Sequence, residues 1–205
     1  MSYFPFMIDI KDKDCLVAGG GQTAKRKVME LLRFGAHVTV IAPDVCRELK
    51  TVREIDIAEK EYEKKDIDGR FLVVAATDNG ELNRRISADC NERQILVNAV
   101  DIRDACSFIF PAIIKRDELV VSISTGGNSP AGAAYLKEKL RQGIPDNYEK
   151  NLEILGHYRS KIMEMITEPS LRKKVYYSLL ETAYKENRIL NSKDIRSYIE
   201  KYSGM

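Results

Sequence analysis

The stretch CLVAGGGQTAKRKVMELLRFG, residues 15–35, constrains the fold of this chain more than any other part of the sequence. It begins with a short apolar run of the strand type, Cys15 to Ala18, and three consecutive glycines follow. From Ala24 onward apolar residues recur every three or four positions, which is the spacing of an amphipathic helix. A strand, a glycine turn and a helix in this order leave the first N–H groups of the helix free to bind an anion such as a pyrophosphate.

The spacing of Gly19, Gly21 and Ala24 matches G-x-G-x-x-A, a variant of the dinucleotide-binding fingerprint. In this interpretation the first glycine permits a tight turn, the second lets the backbone approach the phosphates, and the alanine packs close to the strand. A glycine turn with only a structural role is the alternative, but the flanking strand and helix favour cofactor binding. The predicted phosphate-binding residues are Gly19, Gly20, Gly21, Gln22 and Thr23.

Strand patterns and helical spacing alternate along the chain as far as residue 101. A β-branched run at 38–42 completes one strand–helix–strand unit, and apolar runs at 71–76 and 95–97 flank a stretch of helical spacing. Residues 55–57 indicate one more, more polar strand. This alternation predicts an α/β fold built on a doubly wound parallel sheet of the Rossmann type.

Ligands of such sheets bind beyond the carboxyl ends of the strands, so residues at those ends are candidate cofactor contacts. In the common NAD pattern an acidic side chain about 20 residues past the glycines binds the ribose hydroxyls. Here the first acidic residue after the second strand is Asp44, so the ribose contact falls to Asp44 or to backbone groups. No basic cluster follows that strand, which favours NAD, although the choice between NAD and NADP stays open. The predicted contacts at strand ends are Pro43, Asp44, Thr77 and Asp78.

Two polar residues at strand ends have more than one interpretation. Asp78, like its neighbour Asn79, is suited to cap the helix that follows, a role that does not exclude contact with the cofactor. Asp101 follows the strand at 95–97, where a carboxylate is able to accept a proton from a bound substrate. A turn or capping role is the plainer interpretation of an aspartate at that position.

The pattern changes after Ser107. Apolar alternation on both sides of a charged turn predicts strands of an antiparallel or mixed extension. The loop 124–130, STGGNSP, precedes a helix and is able to present N–H groups to substrate carboxylates, with Ser129 as the expected N-cap. The predicted substrate-binding residues in this loop are Ser124, Thr125, Gly126 and Asn128. Three further helical patterns occupy residues 148–166, 170–187 and 192–202.

Composition argues against several classes of protein. The 33 basic and 31 acidic residues are interspersed and leave a net charge of +2, which argues against a nucleic-acid-binding protein. The four cysteines are scattered singly, so neither a zinc site nor a disulfide framework is expected, and no metal ligands are predicted. The opening residues MSYFPFMIDI resemble neither a secretion signal nor a membrane span, so we expect a cytoplasmic protein in which they pack beside the first strand.

Several motifs occur together and in order: FPFMIDIKDKDCLVAGGGQTAKRK, AATDN, NAVD, SFIFPAII and STGGNSP. With them the sequence resembles the precorrin-2 dehydrogenase family, which includes the N-terminal half of fused siroheme synthases. The resemblance is dense over residues 3–145. It implies NAD-dependent oxidation of the tetrapyrrole precorrin-2 to sirohydrochlorin, on a homodimer joined by a swapped segment near 112–141. Asp101 matches the aspartate of the family's N-x-V-D motif, which is assigned as the general base.

The resemblance also sets the expected domains and the alternatives. We expect a nucleotide-binding domain at residues 1–111, a mixed α+β dimerisation segment at 112–145 and a small helical domain at 146–205. Some family members also insert ferrous iron to give siroheme, but this chain has only two histidines and no Cys/His cluster, which favours dehydrogenation as the main activity. Where some members have two consecutive serines, this chain has Ser124 and Thr125. An NAD-sensing regulatory module on the same fold is a further alternative.

Overall fold

The computed structural model describes residues 3–203, which form two compact units. The first unit runs to Phe110 and the second begins at Pro111. The three-part division of the chain stays a prediction, because neither unit by itself defines a dimerisation segment.

The first unit alternates strands and helices around one sheet. Its elements are β1 (Asp14–Ala18), α1 (Gln22–Leu32), β2 (His37–Ile41), α2 (Arg47–Lys50), β3 (Ile55–Ala58), β4 (Leu72–Ala75), α3 (Gly80–Glu92) and β5 (Leu96–Ala99), with short 3₁₀ turns at Lys64–Ile67 and Arg103–Ala105. The sheet order is β3-β2-β1-β4-β5, and every neighbouring pair is parallel. This confirms the doubly wound parallel sheet.

Both faces of the sheet are covered, because successive side chains of a strand point to opposite sides. Cys15 and Val17 of β1 pack in the core layer beneath α1, which contributes Ala24, Val28 and Leu31. Leu16 and Ala18 pack in the opposite layer, to which α3 contributes Ile86 and Cys90. A strand buried on both faces has a continuous apolar sequence, which is why the run at 15–18 lacks any polar alternation.

The second unit combines a hairpin with a set of helices. Its elements are β6 (Ala112–Arg116), β7 (Leu119–Ile123), α4 (Pro130–Gly143), α5 (Tyr148–His157), α6 (Arg159–Met165), α7 (Pro169–Lys185) and α8 (Ser192–Ser203). The strands β6 and β7 are antiparallel, and α4 packs on them. The four later helices share a core around Ile162, Val175 and Leu179. The predicted mixed segment and helical region are therefore confirmed as folded elements.

Two sequence-based expectations about local structure are wrong. Residues Phe4, Phe6 and Met7 do not pack beside β1 in the described chain, since they are 82%, 67% and 72% exposed. The reason is topological: β1 lies between β2 and β4 and has no free edge. The helical pattern at 148–166 is not one helix, because it is interrupted at Tyr158, just after Gly156, and glycine is a weak helix former.

The α-helices within residues 3–203 are 4 to 17 residues long. None of them has both the length and the apolar composition that a membrane span needs.

Candidate functional site

The site begins where the chain leaves β1 and β4, the point at which the strand order reverses. Gly19 has φ +129°, and a Cβ atom built on it would collide with the carbonyl group of Ala76 at the end of β4. The N–H of Gly19 donates to the carbonyl of Ile41 (2.8 Å), and the N–H of Ala76 donates to that of Ala18 (2.7 Å). The ends of three neighbouring strands are thus held together with no room for a side chain at Gly19.

The next two glycines differ in what surrounds them. A Cβ on Gly20 would collide with the backbone of Asp44, whereas a Cβ on Gly21 would meet nothing within 4 Å. Gly20 is therefore required by packing within the protein. Gly21 faces open space at the N-terminus of α1, where a bound group is able to approach the backbone.

The N-terminus of α1 has no side-chain cap, unlike two other helices of the described chain. Asn79 caps α3 through its side chain, and Ser129 caps α4. At Gly21 no side chain accepts a hydrogen bond from the first turn of α1, and that turn contains no acidic residue. The free N–H groups and the positive end of the helix dipole form a site for an anion.

A cavity of about 1120 Å³ lies at this edge of the sheet. The structure brings the predicted catalytic residue and all nine predicted cofactor residues into its lining: Gly19, Gly20, Gly21, Gln22, Thr23, Pro43, Asp44, Thr77, Asp78 and Asp101. Their convergence follows from the parallel sheet, since the carboxyl ends of parallel strands meet at one edge. Their roles in binding and catalysis stay predictions.

Thr77, at the end of β4, is fixed by a buried amide on α3. The Asn83 side-chain oxygen accepts hydrogen bonds from the Thr77 N–H (3.1 Å) and hydroxyl (2.7 Å), and its amide donates to the Thr77 carbonyl (3.1 Å). Asn79 caps α3 by accepting hydrogen bonds from the N–H groups of Glu81 (3.0 Å) and Leu82 (3.1 Å). The capping role thus belongs to Asn79, which leaves Asp78 exposed on the cavity wall.

Asp101 follows β5 with its backbone in the left-handed region, at φ +61°. Few residues other than glycine adopt this conformation, and aspartate and asparagine tolerate it best. The Asp101 side chain is exposed and has no hydrogen bond or ion pair with any residue in the described range 3–203. Asp101 thus lines the cavity, and its carboxylate has no partner among residues 3–203.

Among the lining residues that sequence reasoning missed are Glu61, Tyr62 and Arg85. The first two lie in a charged connection that looks like a solvated surface, although Tyr62 is buried and its hydroxyl donates to Asp89 on α3 (3.0 Å). Burial, together with the neighbouring carboxylate, raises the pKa of Tyr62 and keeps the phenol protonated. A single tyrosine in a run of charged residues was the available signal.

The predicted substrate loop lies in the second unit, and its hydroxyls hold the loop itself. The Thr125 hydroxyl donates to the Ser129 carbonyl (3.0 Å) and accepts from the Ser129 N–H (3.1 Å). The Ser124 hydroxyl accepts from the N–H of Gly126 (3.1 Å), and Asn128 is exposed. Substrate binding by Ser124, Thr125, Gly126 and Asn128 stays a prediction.

Comparison with known proteins identifies the first unit. Residues 6–112, more than half of the chain, match the family described as "Putative NAD(P)-binding". The chain belongs to this NAD(P)-binding family. The match covers β1, the glycine turn and the strand ends that line the cavity, and it confirms the predicted nicotinamide dinucleotide cofactor.

Longer relatives extend the similarity into the second unit. The chain is 41% identical over 184 residues to a siroheme synthase of Thioalkalivibrio sulfidiphilus (strain HL-EbGR7), covering 88% of this chain and 38% of that protein. It is 37% identical over 193 residues to the siroheme synthase of Nitrosospira multiformis, covering 91% and 41%. The chain thus spans about two-fifths of the length of these relatives.

A solved structure shares the whole fold. The protein named "SirC, precorrin-2 dehydrogenase" superposes with a TM-score of 0.71 and 24% identity, covering 99% of this chain and 100% of that one. The predicted family resemblance is confirmed by these matches.

We expect Gly21→Asp to fold but to lose much of its affinity for NAD. The Gly21 backbone is extended (φ −88°, ψ −171°), which suits an N-cap, so the new carboxylate would accept hydrogen bonds from the first turn of α1 and displace the pyrophosphate. Calorimetric titration should show affinity lowered by at least about tenfold, with Tm unchanged or raised.

Two further variants test this interpretation. Gly21→Asn supplies a neutral cap of the same size and should weaken NAD binding less than Gly21→Asp does. Gly19→Ala should instead lower Tm, because the alanine Cβ has no space beside the Ala76 carbonyl. Parental NAD affinity in Gly21→Asp would place the phosphates elsewhere.

Proposed function

We propose that this chain oxidises precorrin-2 to sirohydrochlorin with NAD as the electron acceptor. The observation that supports the proposal is one cavity lined both by the uncapped N-terminus of α1 and by Asp101, whose carboxylate has no partner within the described chain. The names of the similar proteins, siroheme synthase and precorrin-2 dehydrogenase, agree with this chemistry.

The residues present fit a bound dinucleotide. Gly21 leaves space at the helix terminus for a pyrophosphate, and Thr77 is fixed by Asn83 at the neighbouring strand end. Bound NAD would supply the hydride acceptor for the oxidation. The remaining tasks fall to the protein: α1 binds the phosphates, the strand ends orient the cofactor, and Asp101 accepts the proton that leaves the substrate.

The charge of the cavity lining constrains how a tetrapyrrole with several carboxylates would bind. The lining contains one basic side chain, Arg85, and five acidic ones: Asp44, Glu61, Asp78, Glu81 and Asp101. Because the lining itself is mostly acidic, a polyanionic substrate needs cations outside the lining, at the rim of the cavity. Arg103 is exposed on the 3₁₀ turn two residues after Asp101, where a guanidinium is able to bind a carboxylate beside the reacting carbon.

Asp101→Asn should lower kcat for sirohydrochlorin formation by on the order of 10²-fold or more, because the amide is unable to accept the proton. Asparagine tolerates the left-handed backbone of Asp101, so NAD affinity should stay within about twofold of the parent. The assay follows sirohydrochlorin absorbance with supplied precorrin-2 and NAD, and titration gives the affinity.

Asp117→Asn is the matched control, since Asp117 is also an exposed aspartate with positive φ (46°). It should oxidise precorrin-2 at the parental rate. Full activity in Asp101→Asn would eliminate Asp101 as the base. Binding of NAD and precorrin-2 without turnover by the parent would favour the NAD-sensing module.

The same purified protein is suited to an assay of metal insertion. Among residues 3–203 no three His, Cys, Asp or Glu side chains are grouped so that they are able to hold a metal ion. Ferrous iron would enter as a substrate, with Asp101 as the acceptor for pyrrole protons. An assay of iron insertion into supplied sirohydrochlorin separates a dehydrogenase from the bifunctional alternative.

The acidic residues of the cavity favour NAD over NADP. Asp44 follows β2 and Glu61 follows β3, on the side of the sheet edge where the adenosine ribose of a doubly wound fold binds. A 2′-phosphate there would meet two carboxylates, whereas a 2′-hydroxyl is able to donate to either of them.

NADP should therefore bind at least about tenfold more weakly than NAD at low salt. The double variant Asp44→Asn/Glu61→Gln should narrow this difference by strengthening NADP binding. Asp56→Asn on β3, an exposed aspartate outside the cavity lining, should leave the ratio unchanged. Calorimetry with both nucleotides measures the ratio, and equal affinities in the parent would refute the assignment of these carboxylates.

A homodimer through the second unit is the proposed assembly. On α4 only Ala133 is buried, whereas Tyr135, Leu136 and Leu140 are 68%, 46% and 40% exposed. The hairpin beneath α4 has two strands, and a two-stranded sheet is marginal without a further covering layer. A second copy would supply that layer through an isologous contact.

Light scattering at micromolar concentration should give the mass of a dimer. Leu136→Glu should give a monomer, because a charge replaces an apolar contact. Met163→Glu is the control, since Met163 is comparably exposed (49%) on α6 and lies outside this surface. A monomeric parent with full activity would contradict the assembly.

The cytoplasm remains the proposed location. All four cysteines lie in the described chain and none is paired, as is common for thiols in a reducing compartment.

A further inference from the structure

Asp101 lies near the start of a loop whose two ends are adjacent. The chain leaves β5 at Ala99, passes Asp101 and the turn at Arg103–Ala105, and returns at Cys106. Just beyond, the Ser107 N–H donates to the Val97 carbonyl (2.9 Å), so the returning chain runs along the outer edge of β5.

The thiol of Cys106 fills the base of this loop. Its sulfur accepts hydrogen bonds from the Ala99 N–H (3.2 Å) and from the Asn98 side-chain amide (3.6 Å). Its one S–H proton is directed at the carbonyl oxygens of Ala99 (3.1 Å) and Ile102 (3.3 Å). One side chain therefore binds the residue that starts the loop and the residue that follows Asp101.

This arrangement requires a protonated sulfur. Burial is the main cause that raises the pKa of Cys106, so the group remains a thiol at neutral pH. A thiol is able both to accept and to donate here, whereas a thiolate would face two carbonyl oxygens with no proton between them.

The position of the Asp101 carboxylate depends on this loop because the carboxylate has no partner of its own within the described residues. Its backbone is in a left-handed conformation that costs free energy and persists only where the surrounding structure enforces it. On the far side of the loop α3 supplies other contacts: the Ser87 hydroxyl donates to the Ala105 carbonyl (2.6 Å), and Arg84 pairs with Asp104 (3.0 Å). None of these touches Ala99 or Ile102, the first and last residues of the turn that contains Asp101, which are joined besides by a backbone hydrogen bond from the Ile102 N–H to the Ala99 carbonyl (3.2 Å).

We infer that Cys106 is a positioning residue for Asp101. The hydrogen bonds of the Cys106 thiol hold closed the loop that carries Asp101. The inference rests on the proposed role of Asp101 as the general base. Cys106→Ala removes all of these hydrogen bonds, and Cys106→Ser restores a donor and an acceptor at a shorter reach.

The kinetic test compares these variants under saturating NAD. Cys106→Ala should lower kcat for sirohydrochlorin formation by on the order of tenfold, with NAD affinity unchanged, and Cys106→Ser should recover most of the loss. Cys90→Ala is the control, since Cys90 is a buried thiol on α3 with no side-chain hydrogen bond in the described chain. The Cys90→Ala variant should have a lower Tm, but its kcat should be unchanged at temperatures below thermal unfolding.

A double-mutant cycle distinguishes positioning from general loss of structure. In the Asp101→Asn background, Cys106→Ala should produce no further loss, because there is no carboxylate left to misplace. An equal loss of activity in both backgrounds, or no loss in Cys106→Ala with an active parent, would overturn the inference.

An NMR measurement keeps the two proposals separable. In Cys106→Ala the Ile102 amide, which donates to the Ala99 carbonyl (3.2 Å), should exchange faster with solvent, and the H–N–Cα–H coupling constant of Asp101 should leave the value of a left-handed backbone, while Cys106→Ser should preserve both. If the parent makes no sirohydrochlorin, the proposed function fails, and this measurement alone then tests whether Cys106 maintains the conformation of the loop. An unchanged Asp101 signal in Cys106→Ala would then refute the positioning role.

Discussion

The close approach of β1 and β4 at Gly19 is the steric constraint on which the site depends. Because no side chain fits between Gly19 and the Ala76 carbonyl, the two central strands end side by side and their chains leave towards opposite faces of the sheet. This divergence opens the cavity. It also brings the uncapped end of α1 and the chain that leaves β4 to one cavity, so the proposed phosphate site and the polar residues Thr77 and Asp78 share its lining.

The strands of the first unit and the edge of the sheet that carries the site were predictable, because both follow from short-range patterns. Apolar runs located four of the five parallel strands and a more polar pattern located the other, and the rule that ligands bind at carboxyl ends then selected Asp44, Thr77 and Asp101. The glycine run was informative, but the role of each glycine became visible only in the structure: Gly19 and Gly20 have no space for a Cβ atom beside Ala76 and Asp44, whereas Gly21 faces open space.

The remaining features depend on contacts between residues distant in sequence. Glu61 and Tyr62 line the cavity only because β3 lies at the edge of the sheet next to β2, and no local pattern encodes that adjacency. The N-terminal apolar segment was misplaced because apolar composition indicates burial, whereas strand order determines whether an edge is available. The network around Asp101 likewise involves Cys106, which composition alone groups with ordinary core thiols.

The uncapped end of α1 also has a thermodynamic consequence for the protein without ligand. A helix that lacks a side-chain cap forgoes stabilisation of roughly 1 kcal/mol, and the anion proposed to bind at the N-terminus of α1 would supply that contribution. Binding to the folded chain alone then couples the folding equilibrium to nucleotide concentration, by about 2.7 kcal/mol at a hundredfold excess over Kd. Under the proposed binding of NAD at this site, cellular nucleotide would therefore also stabilise the fold, and the population of unfolded chain, with its exposure to proteolysis, would follow the supply of the nucleotide.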